Sequence, residues 1–210
     1  MHMYYAHMTN TSEEAAGVRL DSESLRVLAH PLRARLLSML RTGGPATATD
    51  LACELGSNSG ATSYHLRKLE TVHLVTDTGQ GKGKRRLWRA ATASHEFNPS
   101  DFVGDTTAEA DLSWLRHHYI LSLAGGFGTW LDAEQSWPTA WRDAAGADDD
   151  FVTLTAVQAR AMSMEIDEVV ARYRSAGDSD PQARRMSIWR VLYPLDTQDP
   201  PRDGEQSMTP

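Results

Sequence analysis

The side chains with the clearest chemical reach in this 210-residue chain are hydrogen-bond donors repeated at helical spacing. Between Ser59 and Leu69, helical periodicity turns Leu66, Leu69 and Thr62 inward and leaves Ser63, Tyr64, Arg67 and Lys68 facing out. That outer face carries no carboxylate. Phosphate oxygens and base edges favour such a surface, because acidic side chains would repel the backbone charge of a nucleic acid. The candidate contacts are Ser59, Thr62, Ser63, Tyr64, His65, Arg67 and Lys68. A second set, Lys82, Lys84, Arg85 and Arg86, lies among Gly79, Gly81 and Gly83, and no acid occurs from Gly79 to Ala91. Cations on a glycine-rich turn suit phosphates or a minor groove.

Other chemistries find little here. The chain holds one cysteine, Cys53, which cannot form an internal disulfide. No nucleophile, base and acid set, no Gly-Lys-Ser/Thr phosphate loop and no metal-hydrolase motif is present, so an enzyme is not expected, nor a cofactor. The run GQGKGK looks like a phosphate loop only superficially, since it does not open a helix.

Elements that position the donors follow from the flanking residues. Asp50 to Leu55 reads as a short helix ended by Gly56, and Ser57 to Gly60 as a turn that caps a second helix. Beyond it, His73 to Asp77 and Arg85 to Ala91 read as two strands of a hairpin. Upstream, Leu25, Val27, Leu28, Leu32, Leu36, Leu37 and Leu40 recur at helical spacing, and Pro31 splits the run at Ala29 to His30. His30 reads as structural rather than as a ligand.

The segments LRVLAHPLRARLLSML, DLACELG, SYHLRKLE and the Gly/Lys hairpin, in this order between Ser22 and Ala91, resemble the winged helix-turn-helix domain of ArsR-like (arsenical-resistance repressor-like) transcription regulators. The resemblance covers about a third of the chain. It implies a dimeric DNA-binding protein with a sensory function, reading double-stranded DNA at a pseudo-palindromic operator. The family's thiolate sensors need Cys-x-Cys before the first helix of the motif, where this chain has Thr47, Ala48 and Thr49. Its zinc sensors carry Asp-x-His and, farther along, a His followed by an acid or His on the helix after the wing. Here Asp111 is followed by Leu112 and Ser113, and the adjacent His117 and His118 point about 100° apart on a helix. The resemblance is therefore to the non-metal type, and no metal site is expected.

Residues 21–91 thus form the expected DNA-binding domain, after a disordered tail, 1–20, in which His2, Met3, His7 and Met8 are the suggestive side chains. Residues 92–104 read as a linker and 105–198 as a dimerisation and effector region, with a second disordered tail at 199–210. In that region Ala108, Leu112, Leu115, Tyr119, Leu123, Phe127 and Trp130 form the stripe of a long amphipathic helix. Leu112, Leu115, Tyr119 and Leu123 are the expected dimer contacts, since the family pairs this helix across a two-fold axis. Farther on, Phe151 to Leu154 and Met186 to Leu195 read as strands around a helix introduced by a Thr155/Gln158 capping box, a small β-α-β-like unit. The fold class is mainly α with a small β part (α+β). Trp114, His118, Trp130, Trp189 and Arg190 are candidates for binding a small organic effector, although large aromatics are first of all core formers.

Charge is segregated. The whole chain carries -7, but Ser22 to Ala91 carries +6 and the remainder -13, as expected for a basic reading domain joined to an acidic partner region. No apolar run reaches the roughly 18 to 20 residues of a membrane span and the start lacks a secretory signal, so a cytoplasmic location and no membrane partner are expected. The reading is a homodimeric repressor released by a small organic ligand or another non-thiolate signal. The alternative is an interaction module that uses the winged helix without specific DNA binding.

Overall fold

The computed structural model describes residues 17–81, 83, 85–198 and 200–201. The candidates Lys82 and Lys84, the four His and Met residues near the start, and both expected tails apart from 17–20 and 200–201, lie outside the described residues. The chain divides into two compact units, Met1–Gly126 and Phe127–Pro210.

In the first unit, β1 (Val18–Arg19) leads into α1 (Ser22–Leu28) and α2 (Pro31–Gly43). Asp21 caps α1, its carboxylate accepting the Ser24 N–H at 2.8 Å, and the hydrogen bonds from Ser24 hold this acid below the usual carboxylate range. Pro31 breaks the apolar run as expected, and His30 caps α2 by accepting the Leu32 N–H on Nδ1 at 3.1 Å. There follow β2 (Ala46–Thr47), α3 (Ala48–Leu55), α4 (Ser59–Thr71), β3 (Val75–Asp77) and β4 (Leu87–Ala90). Thr47 caps α3 in a reciprocal box with Asp50, so this helix starts two residues before Asp50. The three strands form an antiparallel sheet in the order β2-β4-β3, with Thr76 opposite Arg89.

Next come β5 (His95–Glu96), a 3-10 turn at Pro99–Phe102 and α5 (Thr106–Ala133). These correct two expectations. The residues read as the end of a tail form β1, parallel to β5, with Val18 opposite His95 and Leu20 buried. The residues read as a linker supply β5 and the buried Phe102. Two-residue strands have too little length to show a period. They exist here because two distant segments meet and exchange backbone hydrogen bonds.

The core joins Leu25, Leu28, Leu36, Leu37 and Leu40 to Leu66, Leu69, Leu74, Trp88 and Phe102, and also to Leu112 and Leu115 of α5. Leu112 and Leu115 are 5% and 0% exposed, so they cannot meet a second chain and are withdrawn as dimer contacts. An apolar stripe records that a helix face is covered, and here its own chain covers it. Tyr119 also packs on this core, and Leu123 is half-buried. On the same helix Ile120 and Leu121 are exposed.

His95 ties three elements together. The Arg41 guanidinium donates to its Nδ1 at 2.7 Å, which leaves the proton on Nε2, facing the Tyr119 hydroxyl. Burial first, and the Arg41 charge second, push the His95 pKa down to about 3, while burial pushes the Tyr119 phenol up.

The second unit contains the last part of α5, a 3-10 turn at Glu134–Ser136, α6 (Thr139–Ala144) and α7 (Ala156–Tyr173). The Thr155/Gln158 capping box opens α7 as expected. The strands expected at 151–154 and 186–195 do not form, so the β-α-β-like unit is corrected to a helix flanked by irregular segments. β-propensity measures fit to a sheet, and among the described residues neither segment has a partner strand. Arg190 instead holds the later segment to α7, donating to the Ser163 carbonyl at 2.6 Å and to Asp167 at 2.8 Å. Among the described residues no helix is long and apolar enough to cross a membrane.

Two measurements check this arrangement. Leu115→Ala is expected to cost about 2–5 kcal/mol in denaturant unfolding, against about 0.5 kcal/mol or less for Val103→Ala, which is exposed. Because the folded pKa of His95 is lowered, to about 3, its neutral form contributes fully above the unfolded value of 6.5, and that contribution falls as pH drops from there towards 3. The expected slope from this group is about 1.4 kcal/mol per pH unit, and His95→Asn should flatten it.

Candidate nucleic-acid interface

Placement of the donors begins at the turn between α3 and α4. Gly56 ends α3 in the left-handed conformation, φ 62° and ψ 32°, where a side chain would be strained. Asn58 then caps α4, its side-chain oxygen accepting the Ala61 N–H at 2.7 Å. Thr62 is 0% exposed and its hydroxyl donates to the Asn58 carbonyl at 3.1 Å. Thr62 is therefore withdrawn as a contact residue. It holds the turn from the inside, beside Leu66 and Leu69.

With that face buried, Ser59, Tyr64, Arg67 and Lys68 are exposed and Ser63 is half-exposed. The Lys68 ammonium sits 5.9 Å from the centre of the Tyr64 ring, so the two make one amphipathic, positively charged spot. No acid occupies the first turn of α4, and its free backbone N–H groups add partial positive charge there.

His65 departs from the expected face. Its ring lies 4.7 Å from that of His30 and edge-on to Tyr64 at 5.3 Å. It is half-buried, and its Nδ1 is buried without a hydrogen-bond partner among the described residues. Burial, then the nearby Arg33 charge, lowers the pKa of both histidines. His65 thus packs α4 against the α1–α2 junction and backs Tyr64, and it is withdrawn as a groove contact. Its place follows from the neighbouring His30, which sequence spacing alone does not reveal.

The hairpin between β3 and β4 needs its glycines for different reasons. Gly79 and Gly83 have φ of 70° and 64°. A Cβ on Gly81 would lie 1.9 Å from the Arg85 carbonyl oxygen, an impossible approach. Arg85 is exposed on this hairpin. Arg86 is not a free cation: it reaches Glu70 at 3.2 Å and Asp77 at 3.5 Å and lies over Trp88 at 5.4 Å. It is reassigned from phosphate contact to a positioning residue that pairs with Glu70, the one acid of α4, and with Asp77 at the end of β3.

The effector candidates fall in different units. In the first, Trp114 and His118 stack at 5.0 Å with planes 9° apart, and burial lowers the His118 pKa. In the second, Trp130 meets Trp137 edge-on at 5.4 Å, and Trp189 donates from Nε1 to Ser187 at 2.9 Å on the segment that Arg190 ties to α7. An open groove of about 340 Å³ lined by Pro99, Glu109, Leu112, Ser113, Arg116 and His117 includes none of these candidates. Cys53 is exposed, and among the described residues no group of three or more His, Cys, Asp or Glu could hold a metal ion.

Residues 28–78 match the family model of a helix-turn-helix domain, from the end of α1 to the base of the hairpin. No curated protein matches the chain. Among solved structures, similarity is found to the homodimeric winged helix-turn-helix DNA-binding domain (fragment 1-100) of Mb0332 from Mycobacterium bovis, described as a possible ArsR-family transcriptional regulator. That match is 26% identical, covers 33% of this chain and 62% of the other, and has a TM-score of 0.30.

The glycine requirement gives a check. Gly81→Ala should raise hydrogen-exchange rates in the turn between β3 and β4 by about tenfold or more, with α4 unchanged, because the clash falls on the Arg85 backbone and not on the core.

Proposed function

We propose that this ArsR-like winged helix-turn-helix protein is a sequence-specific transcription regulator that reads double-stranded DNA as a homodimer. The observation that carries the reading is the outer face of α4, where Ser59, Tyr64, Arg67 and Lys68 are exposed and the one acid of the helix, Glu70, is paired with Arg86. Laid in a major groove, that face offers Arg67 and Lys68 to guanine edges or phosphate and the Tyr64 ring to thymine methyl groups. Ser59 and Ser63 supply hydroxyls near the positive end of the helix. Lys82, Lys84 and Arg85 of the wing grip phosphate. Two copies placed about one DNA turn apart, roughly 34–36 Å, convert a weak half-site reader into a specific one. Ile120 and Leu121 replace Leu112 and Leu115 as the α5 residues offered to the second copy, since they are apolar and exposed. Repression relieved by a small organic ligand is the mode of regulation that fits a chain without the family's thiolate or zinc ligands. The ligand acts by favouring a dimer geometry in which the reading helices are misplaced.

Selection from random duplex DNA should return a two-fold-symmetric site. On that site Arg67→Ala should weaken binding by about 1–3 kcal/mol and relax the sequence preference. Arg85→Ala should weaken binding to all sequences and lower the salt slope by about one. Recovery of no enriched site, or equal affinity of both variants and wild type, would remove DNA reading from this surface.

A further inference from the structure

We propose that the second unit closes its apolar surface against the same unit of a second copy, the segment 151–154 of each copy meeting the segment 186–195 of the other. This rests on the homodimer reading and adds an interface separate from Ile120 and Leu121.

The first observation is an absence of interior. Among the described residues of Phe127–Pro210 none is buried, yet 186–195 is MSIWRVLYPL, a composition that does not stay in water for lack of apolar groups. Phe151 is 72% exposed, Ile188 66% and Leu195 70%. Between 151 and 195, 14 large apolar side chains are exposed among the described residues. Together they present on the order of 1,000 Å² of apolar surface, whereas a stable interface takes about 800 Å² from each partner.

This surface is partly organised in advance. Arg190 pins the 186–195 segment to α7 through Ser163 and Asp167, so a partner need not bring it from solution. Val157 and Met164 of α7 remain exposed after that contact is made.

Charge indicates the partner. Asp148, Asp149 and Asp150 immediately precede Phe151, and Arg184 and Arg185 immediately precede Met186. All five are exposed. Each apolar segment therefore begins with a charge run, one negative and one positive. Side by side in the same direction, the acidic head of one segment lies against the basic head of the other. A two-fold interface has this form, in which the first segment of one copy meets the second of its twin and the reverse holds at the symmetric position. Residues 127–198 carry 12 acids against 7 arginines, which disfavours nucleic acid or an anionic lipid surface as the occupant.

The test uses two full-length variants of different mass in native mass spectrometry. One carries Arg184→Glu and Arg185→Glu, and the other carries Asp148→Lys, Asp149→Lys and Asp150→Lys. Alone, each places like charges head to head and should dimerise at least about tenfold more weakly at low salt. Mixed, they should form heterodimers above the share given by random exchange, and high salt should restore each homodimer by screening. Dimers at the random share would overturn the proposal and leave the α5 homodimer standing. So would self-association that stays weak at high salt, because the defect would then not be one of charge. A wild-type chain that is monomeric throughout would remove the homodimer reading as well.

Discussion

Burial of Thr62, Leu66 and Leu69 is the contact on which the helix-turn-helix domain depends. Each is 0% exposed, and their spacing fixes the rotation of α4 about its own axis. Once that rotation is set, Tyr64, Arg67 and Lys68 have nowhere to face but solvent. The hydroxyl of Thr62 is the polar member of this face, and its bond to Asn58 satisfies it where an apolar residue would leave the turn carbonyl without that donor. The fold and the exposed donor face of α4 are therefore two sides of one packing event. His65 adds to the same effect by wedging α4 against His30, itself the cap of α2.

Around this helix, charge is arranged so that the outer face is not cancelled. Arg86 gives up its own reach to cover Glu70 and Asp77, and it lies over the Trp88 ring. An exposed ion pair of this kind adds little to stability. Its consequence is electrostatic, since two carboxylates that would face a phosphate backbone are already paired. The Arg41, His95 and Tyr119 contacts act in a different place, joining α2 and β5 to α5. Through these contacts α5 is tied to α2, which in turn packs on α4.

The second unit obeys its local signals and departs from its longer-range ones. Thr155 and Gln158 start α7 because a capping box needs only four residues and its own backbone. The β-rich segments on either side needed a neighbour to supply hydrogen bonds, and among the described residues none is present. Propensity is thus a statement about an environment that the chain has to obtain elsewhere.

The sequence by itself determined features that rest on contacts within a few residues: the break at Pro31, the Gly56 turn, the cap at Thr155, the hairpin and the outward set Tyr64, Arg67 and Lys68. It also marked which residues are apolar enough to be covered. Only the tertiary structure decided what covers them. Leu112 and Leu115 went to the chain's own core, leaving Ile120 and Leu121 exposed, because an amphipathic stripe has the same period whichever chain it packs on. The pairing of β1 with β5, the turn of His65 towards His30 and the capture of Arg86 by Glu70 and Asp77 were decided there too. Each joins residues distant in the chain, and periodicity and composition carry no record of which distant segments will meet.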